Sequence, residues 1–189
     1  AAAMADAGVR VFQVRAKALP GGALASLVAA VRAALGPEPV LLVNDRVDVA
    51  AVSPCDGVHL GDGDLPVADA RRLLPPGAIV GYSTHAPDEA AAARGADYIG
   101  LGPIFATSTK ATGRPTLGPD GLRRACNGAV VPVVAIGGIG VSAIGDLRRA
   151  GASGVAMIAA LLVPGEVGAR AAAAVAAFAA ADVPDGGDA

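Results

Sequence analysis

Aromatic residues are almost missing from this chain of 189 residues: they make up 3% of it, with three phenylalanines, two tyrosines and no tryptophan. With so few stacking platforms, a formal net charge of −2 and no block of lysine and arginine, the chain lacks the footprint of a nucleic-acid binder. Cysteine is scarce as well. Cys55 and Cys126 stand apart, outside any paired spacing that would hold zinc, and a chain of this length needs no disulfide, so both read as inert thiols. No run of about eighteen apolar residues escapes interruption by charge, proline or glycine. The alanine-rich stretch near Ala171 is itself bounded by Arg170 and Asp182. No membrane span and no membrane partner are expected. Residues 1–10 lack the basic start and long apolar core of a signal peptide, so the expectation is a cytoplasmic protein.

What the chain does have is small aliphatic packing material: 53% of it is hydrophobic. Its length suits one domain with a sizeable core. That domain is expected over residues 1–182, followed by a flexible tail over 183–189, where Pro-Asp-Gly-Gly-Asp-Ala follows a valine. Short apolar runs recur at Val9–Val14, Val40–Val43, Gly57–Leu60, Ala78–Tyr82, Tyr98–Leu101, Val131–Ile136 and Gly154–Ile158. Most are apolar throughout, as strands buried on both faces are. Between them, helical spacing is found at Leu24–Leu35, Val67–Leu74, Asp88–Arg94, Gly121–Cys126, Val141–Ala150 and Val167–Ala180. This alternation predicts an α/β fold with a parallel sheet and right-handed crossovers. It leaves a doubly wound sheet and a (β/α)8 barrel both open. A barrel needs eight strands and seven runs are visible; residues 1–7 read as the end of a helix whose preceding strand is absent from the sequence.

In either closure, functional groups collect at the carboxyl ends of parallel strands. Those positions are unusually polar for this chain. Gln13, Arg15 and Lys17 follow the first run, Asn44 and Asp45 the second, and Asp64 lies in Gly61-Asp62-Gly63-Asp64 after the third. Then come Ser83-Thr84-His85, the run Thr107-Ser108-Thr109-Lys110, Gly137-Gly138, and the backbone around Ile158 and Ala159. Arg15, Lys17 and Lys110 suit phosphate oxygens through charge-assisted bonds. Asp45 and Asp64 suit a shared hard cation, because Mg²⁺ takes one or two carboxylates and completes its shell with water and phosphate. Gly137-Gly138, before the helix from Val141, can present bare amides to an anion.

Each feature also has a plainer reading. A lone Arg15 or Lys17 is most simply a solvated charge, Asn44-Asp45 a helix cap, Gly61 to Asp64 a turn, and Thr84-His85 a cap for the helix that follows. His59, inside an apolar run, reads as a hydrogen-bonded core histidine and not a base. No nucleophile paired with a base stands out, so covalent catalysis by the protein is unsupported. What favours the functional reading is the recurrence of the same residue types at strand ends all along the sheet.

The ordered set Gln13-Val14-Arg15-Ala16-Lys17, Val43-Asn44-Asp45-Arg46, Gly57-Val58-His59-Leu60-Gly61 with Asp64, Gly81-Tyr82-Ser83-Thr84-His85, Asp97-Tyr98-Ile99-Gly100-Leu101-Gly102-Pro103, Thr107-Ser108-Thr109-Lys110 and Ala135-Ile136-Gly137-Gly138-Ile139 resembles the thiamine phosphate synthase family from Gly8 to Leu162. The resemblance implies a (β/α)8 TIM barrel, here without its first strand. It also implies an Mg²⁺-dependent coupling of hydroxymethylpyrimidine diphosphate with a thiazole phosphate, giving thiamine phosphate and pyrophosphate. On that basis Arg15, Lys17, Asn44, Ser83 and Lys110 would hold the diphosphate, with Arg15, Lys17, Ser83 and Lys110 serving catalysis. Gln13 would touch the pyrimidine, and Asp45 and Asp64 would ligate Mg²⁺. The Thr107–Thr109 segment with Ser108, the Gly138 amide and the backbone at Ile158 and Ala159 would bind the thiazole phosphate.

Partners would then be small phosphorylated substrates, and a homo-oligomer is compatible with this. Ala16, Ala106 and Ala159 depart from the family's Glu, Pro and Ser. Three alternatives remain: a thiazole tautomerase, which usually lacks the Thr-x-Thr-Lys run; a non-catalytic barrel that binds such phosphates; and a generic phosphate-binding barrel isomerase, which leaves the Asp45/Asp64 pair unexplained.

Overall fold

The computed structural model describes residues 1–89, 95–107 and 113–181. Seven strands are present: β1 (Val11–Val14), β2 (Val40–Asn44), β3 (Gly57–Leu60), β4 (Ile79–Thr84), β5 (Tyr98–Leu101), β6 (Val133–Ile136) and β7 (Gly154–Ala156). The helices among the described residues are α1 (Ala2–Asp6), α2 (Gly21–Leu35), α3 (Val47–Val52), α4 (Val67–Leu73), α5 (Gly118–Gly128), α6 (Ile144–Arg149) and α7 (Val167–Ala179), with a 3₁₀ turn at Val141–Ala143 before α6. The helix expected over Asp88–Arg94 and the expected tail fall largely or wholly outside the described residues.

All strand pairs are parallel and run in sequence order, β1 to β7. A doubly wound sheet reverses its order at a switch point, and this one does not. Helix contacts show that the sheet curls. α1, which precedes β1 at one edge, packs on α7, which follows β7 at the other, although six strand spacings would hold those edges roughly 29 Å apart if the sheet were flat. The fold is therefore TIM-barrel-like. Among the described residues β1 and β7 are the sheet edges, and α1 packs on both α7 and α2, so the helix layer continues from one edge to the other.

Strand alternation sorts the interior from the helix-facing layer. Leu41 and Val43, Val58 and Leu60, and Val80 pack under α2, α3 and α4; Ile99 and Leu101, and Val133 and Ala135, pack under α5 to α7. α2 shows why these helices form where they do. It begins after Pro20, buries Leu24, Val28 and Leu35 along one face, and stops at Gly36, whose φ of 72° needs no side chain. α5 has Pro119 and Asp120 in its first turn, buries Leu122 and Ala125, and leaves Arg123 and Arg124 in water.

At the amino ends of the strands one fastening occurs twice. Arg32 donates to the carbonyls of Pro54 and Pro39 and pairs with Asp56, whose carboxylate also accepts the Leu41 N–H at 2.7 Å. Arg71 does the same with the carbonyls of Gly95 and Ala78 and with Asp97, which accepts the Val80 N–H at 2.7 Å. Asp97→Ala removes both the ion pair and the partner of a part-buried N–H. It is expected to lower stability by about 1–3 kcal/mol, seen as a lower urea midpoint at unchanged slope. An unmoved midpoint would show that the fastening carries no load.

Candidate active site

The carboxyl end of the sheet gathers the polar residues. A cavity of about 230 Å³ opens there, lined by Lys17, Asn44, Asp45, Arg46 and Asp64 with Ala16, Leu19 and Leu24. A larger cavity, about 370 Å³, lies at the opposite end between Val40, Ser53, Cys55, Pro75 and Ile79, but no basic side chain lines it. For an anionic ligand the smaller one has the chemistry.

Asp45 sits where the chain leaves β2. Its N–H donates to the His59 carbonyl at 2.8 Å, and its φ of 64° is the one positive value at a non-glycine residue among the described ones. Aspartate tolerates that region better than most residues, yet such backbone persists only where surrounding structure enforces it. The plainer reading of Asn44-Asp45 as a helix cap does not hold. The N-cap of α3 is Arg46, and no side chain caps that helix. Arg46 instead forms a two-pronged pair with Asp48.

The Asp45 carboxylate pairs with Lys17 Nζ at 2.9 Å and is close enough to the Asp64 carboxyl for each to act on the other. Asp64 accepts the Gly61 N–H at 2.7 Å. Burial works to raise Asp45, but the Lys17 bond, the neighbouring Asp64 and the charges of Lys17 and Arg15 outweigh it, leaving Asp45 below the ordinary carboxylate range. Asp64 goes the other way: burial raises it, the Gly61 N–H opposes, and the neighbouring Asp45 pushes it further up. Two carboxyls displaced in opposite directions are a coupled pair, in which the charge on one makes the other harder to ionise. A hard divalent cation would offset that repulsion, and the pair fits Mg²⁺. Among the described residues no third acidic, histidine or cysteine side chain joins them, so this is not an all-protein cage.

Beside the cavity, inside the curl, a second constellation crosses the sheet. His59 on β3 is 7% exposed. Its Nδ1 lies 2.8 Å from Tyr98 Oη and its Nε2 lies 2.9 Å from Ser83 Oγ, while Gln13 is close enough to act on the Tyr98 phenol. Room for the tyrosine ring comes from Gly81, where an added methyl carbon would lie 2.2 Å from the ring. The plain reading of His59 as a hydrogen-bonded interior histidine is thus correct, and its partner is the predicted site residue Ser83. Tyr98 was not among the expected site residues. The legible signal was its parity: a tyrosine paired in register with Gly81, in a chain with only two tyrosines.

Burial holds the Tyr98 phenol well above the ordinary tyrosine value, with Gln13 pulling the other way. The fold therefore favours the protonated phenol, and this contribution is complete below about pH 10 and lost as pH rises beyond it. The parent is expected to lose stability more steeply than Tyr98→Phe between pH 10 and 11.5 in denaturant titrations. Equal slopes would contradict the burial.

The remaining expected residues lie on the later strands. Thr107 follows β5, Gly138 follows β6, and Ile158 and Ala159, both exposed, follow β7. The loops after β5 and β6 touch: Phe105 N–H donates to the Gly137 carbonyl at 3.1 Å, and Gly138 lies against the carbonyls of Phe105 and Ala106. Ser108, Thr109 and Lys110 lie outside the described residues. The structure thus brings Lys17, Asn44, Asp45 and Asp64 to one cavity, with Arg15 close enough to act on Asp45, places Ser83 in a buried pair with His59, and leaves Gln13 exposed but close enough to act on Tyr98.

A TIM-barrel-like sheet with cations and a carboxylate pair at the carboxyl ends of its strands defines a class: enzymes of this fold that handle phosphorylated small molecules. Residues 1–161 match the family described as thiamine monophosphate synthase, and the chain belongs to that family. It is 45% identical over 173 residues to the thiamine-phosphate synthase of Anaeromyxobacter dehalogenans, covering 90% of this chain and 78% of that one. It is 48% identical over 172 residues to a thiamine biosynthesis bifunctional protein of Symbiobacterium thermophilum, covering 89% of this chain but 36% of that longer protein. Among solved structures, the thiamine phosphate pyrophosphorylase of Pyrococcus furiosus superposes with a TM-score of 0.86 at 30% identity, over 94% of this chain and 87% of that one. No helix among the described residues is long and apolar enough to cross a membrane.

Proposed function

We propose that this chain couples hydroxymethylpyrimidine diphosphate to a thiazole phosphate, releasing pyrophosphate and forming thiamine phosphate. The observation that carries the reading is the Lys17–Asp45–Asp64 cluster at one cavity mouth, in a chain of the thiamine monophosphate synthase family. Arg15, Lys17, Asn44, Ser83 and Lys110 hold the diphosphate by charge and hydrogen bonds. Gln13, whose amide has capacity beyond its action on Tyr98, addresses the pyrimidine. Thr107, Ser108, Thr109, the Gly138 amide and the backbone at Ile158 and Ala159 receive the thiazole phosphate. Asp45 and Asp64 would hold Mg²⁺, which when bound neutralises charge on the departing diphosphate.

The bond that breaks joins the pyrimidine methylene carbon to the diphosphate oxygen, which keeps the electron pair. The electron-rich aminopyrimidine supports the resulting cation, and the thiazole nitrogen closes on it. The protein contributes position and electrostatic stabilisation, not a nucleophile. With β1 and β7 at its edges and α1 packed on α7 between them, the curled sheet also suits an eight-stranded plan.

The test mixes both phosphorylated precursors with the chain and Mg²⁺ and follows thiamine phosphate and pyrophosphate together. Appearance of both in equal amounts is the expected result. Absence of both, with the chain folded, would overturn the assignment, and turnover of the thiazole phosphate alone would favour a tautomerase.

A further inference from the structure

The hydrogen bonds through His59 have a direction, set by how the groups at the two ends of the chain act. Gln13 acts on Tyr98 as a donor does, pulling its phenol down against the effect of burial, and a phenol oxygen approached by a donor keeps its own proton to give elsewhere. The nearest acceptor on the other side is His59 Nδ1, at 2.8 Å. A neutral imidazole has one N–H and one lone pair, so a ring that accepts at Nδ1 carries its proton on Nε2. That N–H then donates to Ser83 Oγ at 2.9 Å. With its oxygen already accepting, Ser83 has its own O–H left to give.

The geometry points to His59 and Tyr98 as positioning residues that act through Ser83: together they lock the Nε2–H tautomer and leave the serine proton available to a diphosphate oxygen. The inference rests on the proposed role of Ser83 as a diphosphate ligand. The reverse direction would have His59 Nδ1–H donating to the phenol and the serine proton turned inward onto Nε2. Ser83 would then present only lone pairs to an anion, which repels it. A hydroxyl backed by a fixed donor is held in one orientation before the substrate arrives, the condition under which a hydrogen bond to developing charge is most effective.

The rest of the interior is shaped to hold this arrangement. Gly81 admits the Tyr98 ring, and a methyl carbon at Gly100 would lie 3.1 Å from His59 Cε1, so each ring occupies space that a neighbouring glycine leaves open. The ring centroids of His59 and Tyr98 are 5.4 Å apart. The effect of both residues is assigned to the serine because His59 bonds to it directly and Tyr98 bonds to His59.

The chain has two histidines, so histidine-selective ¹⁵N labelling reads both tautomers directly in the full-length protein. His85 Nδ1 lies 2.6 Å from the Gly102 carbonyl oxygen. A carbonyl can only accept, so His85 serves as an internal standard of the Nδ1–H form. His59 is expected as the Nε2–H form, and in Tyr98→Phe as a mixture of the two. In the same variant kcat/KM for the pyrimidine diphosphate is expected to fall about tenfold, with KM for the thiazole phosphate unchanged. His59→Gln, whose amide N–H can replace Nε2–H, is expected to retain more activity than His59→Leu. A parent spectrum showing His59 as Nδ1–H, or Tyr98→Phe with parental tautomer and kinetics, would overturn the inference. If the parent forms no thiamine phosphate, the proposed function fails, while the tautomer in the parent spectrum still decides the direction of the chain.

Discussion

Asp45→Asn is expected to lower kcat/KM by about two to three orders of magnitude, the scale of losing a preorganised charge at a developing anion. The substitution is nearly isosteric, and asparagine tolerates the left-handed backbone that Asp45 adopts, so the fold should persist. What disappears is the negative charge that pairs with Lys17 at 2.9 Å and acts on Asp64. Lys17 loses the partner that orients it, and a divalent cation loses one of its two carboxylates. The Mg²⁺ concentration needed for half-maximal activity should therefore rise together with the fall in rate. Steady-state kinetics across an Mg²⁺ series, with a thermal melt as control for folding, checks both. A folded variant within threefold of the parent at every Mg²⁺ concentration would remove Asp45 from the chemistry.

Gly138→Ala tests the other half of the site. The backbone there has φ of 65°, and an added methyl carbon would sit 2.3 Å from the Ala106 carbonyl oxygen. The left-handed conformation alone costs alanine about 1–2 kcal/mol, and the clash forces the loops after β5 and β6 apart. KM for the thiazole phosphate is expected to rise about tenfold or more, because a phosphate held by a bare amide needs close backbone approach. KM for the pyrimidine diphosphate should change little. Gly140→Ala is the matched control: no atom lies within 4 Å of the added carbon and its φ is −99°. If both alanines behave alike, the phosphate is not held at Gly138.

The sequence made the alternation of strands and helices plain, because each strand is a short aliphatic run bounded by glycine, proline or charge. Gly57–Leu60 and Tyr98–Leu101 have the same limits in the fold. α3 (Val47–Val52) was not among the segments with helical spacing, although the cap reading of Asn44-Asp45 presupposes a helix after it: six residues are too few to show a period. The curl was not legible, since nothing local distinguishes a flat parallel sheet from a rolled one. Only a contact between the two edges, such as α1 on α7, does so. For the site, the cluster of Lys17, Asn44, Asp45 and Asp64 was legible because strand ends must converge in either closure. The left-handed backbone at Asp45 and the partners of His59 were not, because both depend on residues distant in the chain meeting in the interior.

The paired fastening at the amino ends gives these strands a division of labour. Arg32 with Asp56 and Arg71 with Asp97 repeat the same bonds on β2–β3 and on β4–β5, the pattern of a duplicated two-strand module. Beyond the fastening the two copies differ: Tyr98 stands where its counterpart has Gly57, and His59 where its counterpart has Gly100, beside which the His59 ring lies. The fastening keeps each copy's shape, so the residues after it can exchange a ring for a hydrogen in one copy and fill the space left, as His59 does at Gly100. Architecture and chemistry can thus be altered separately along a single strand only four residues long.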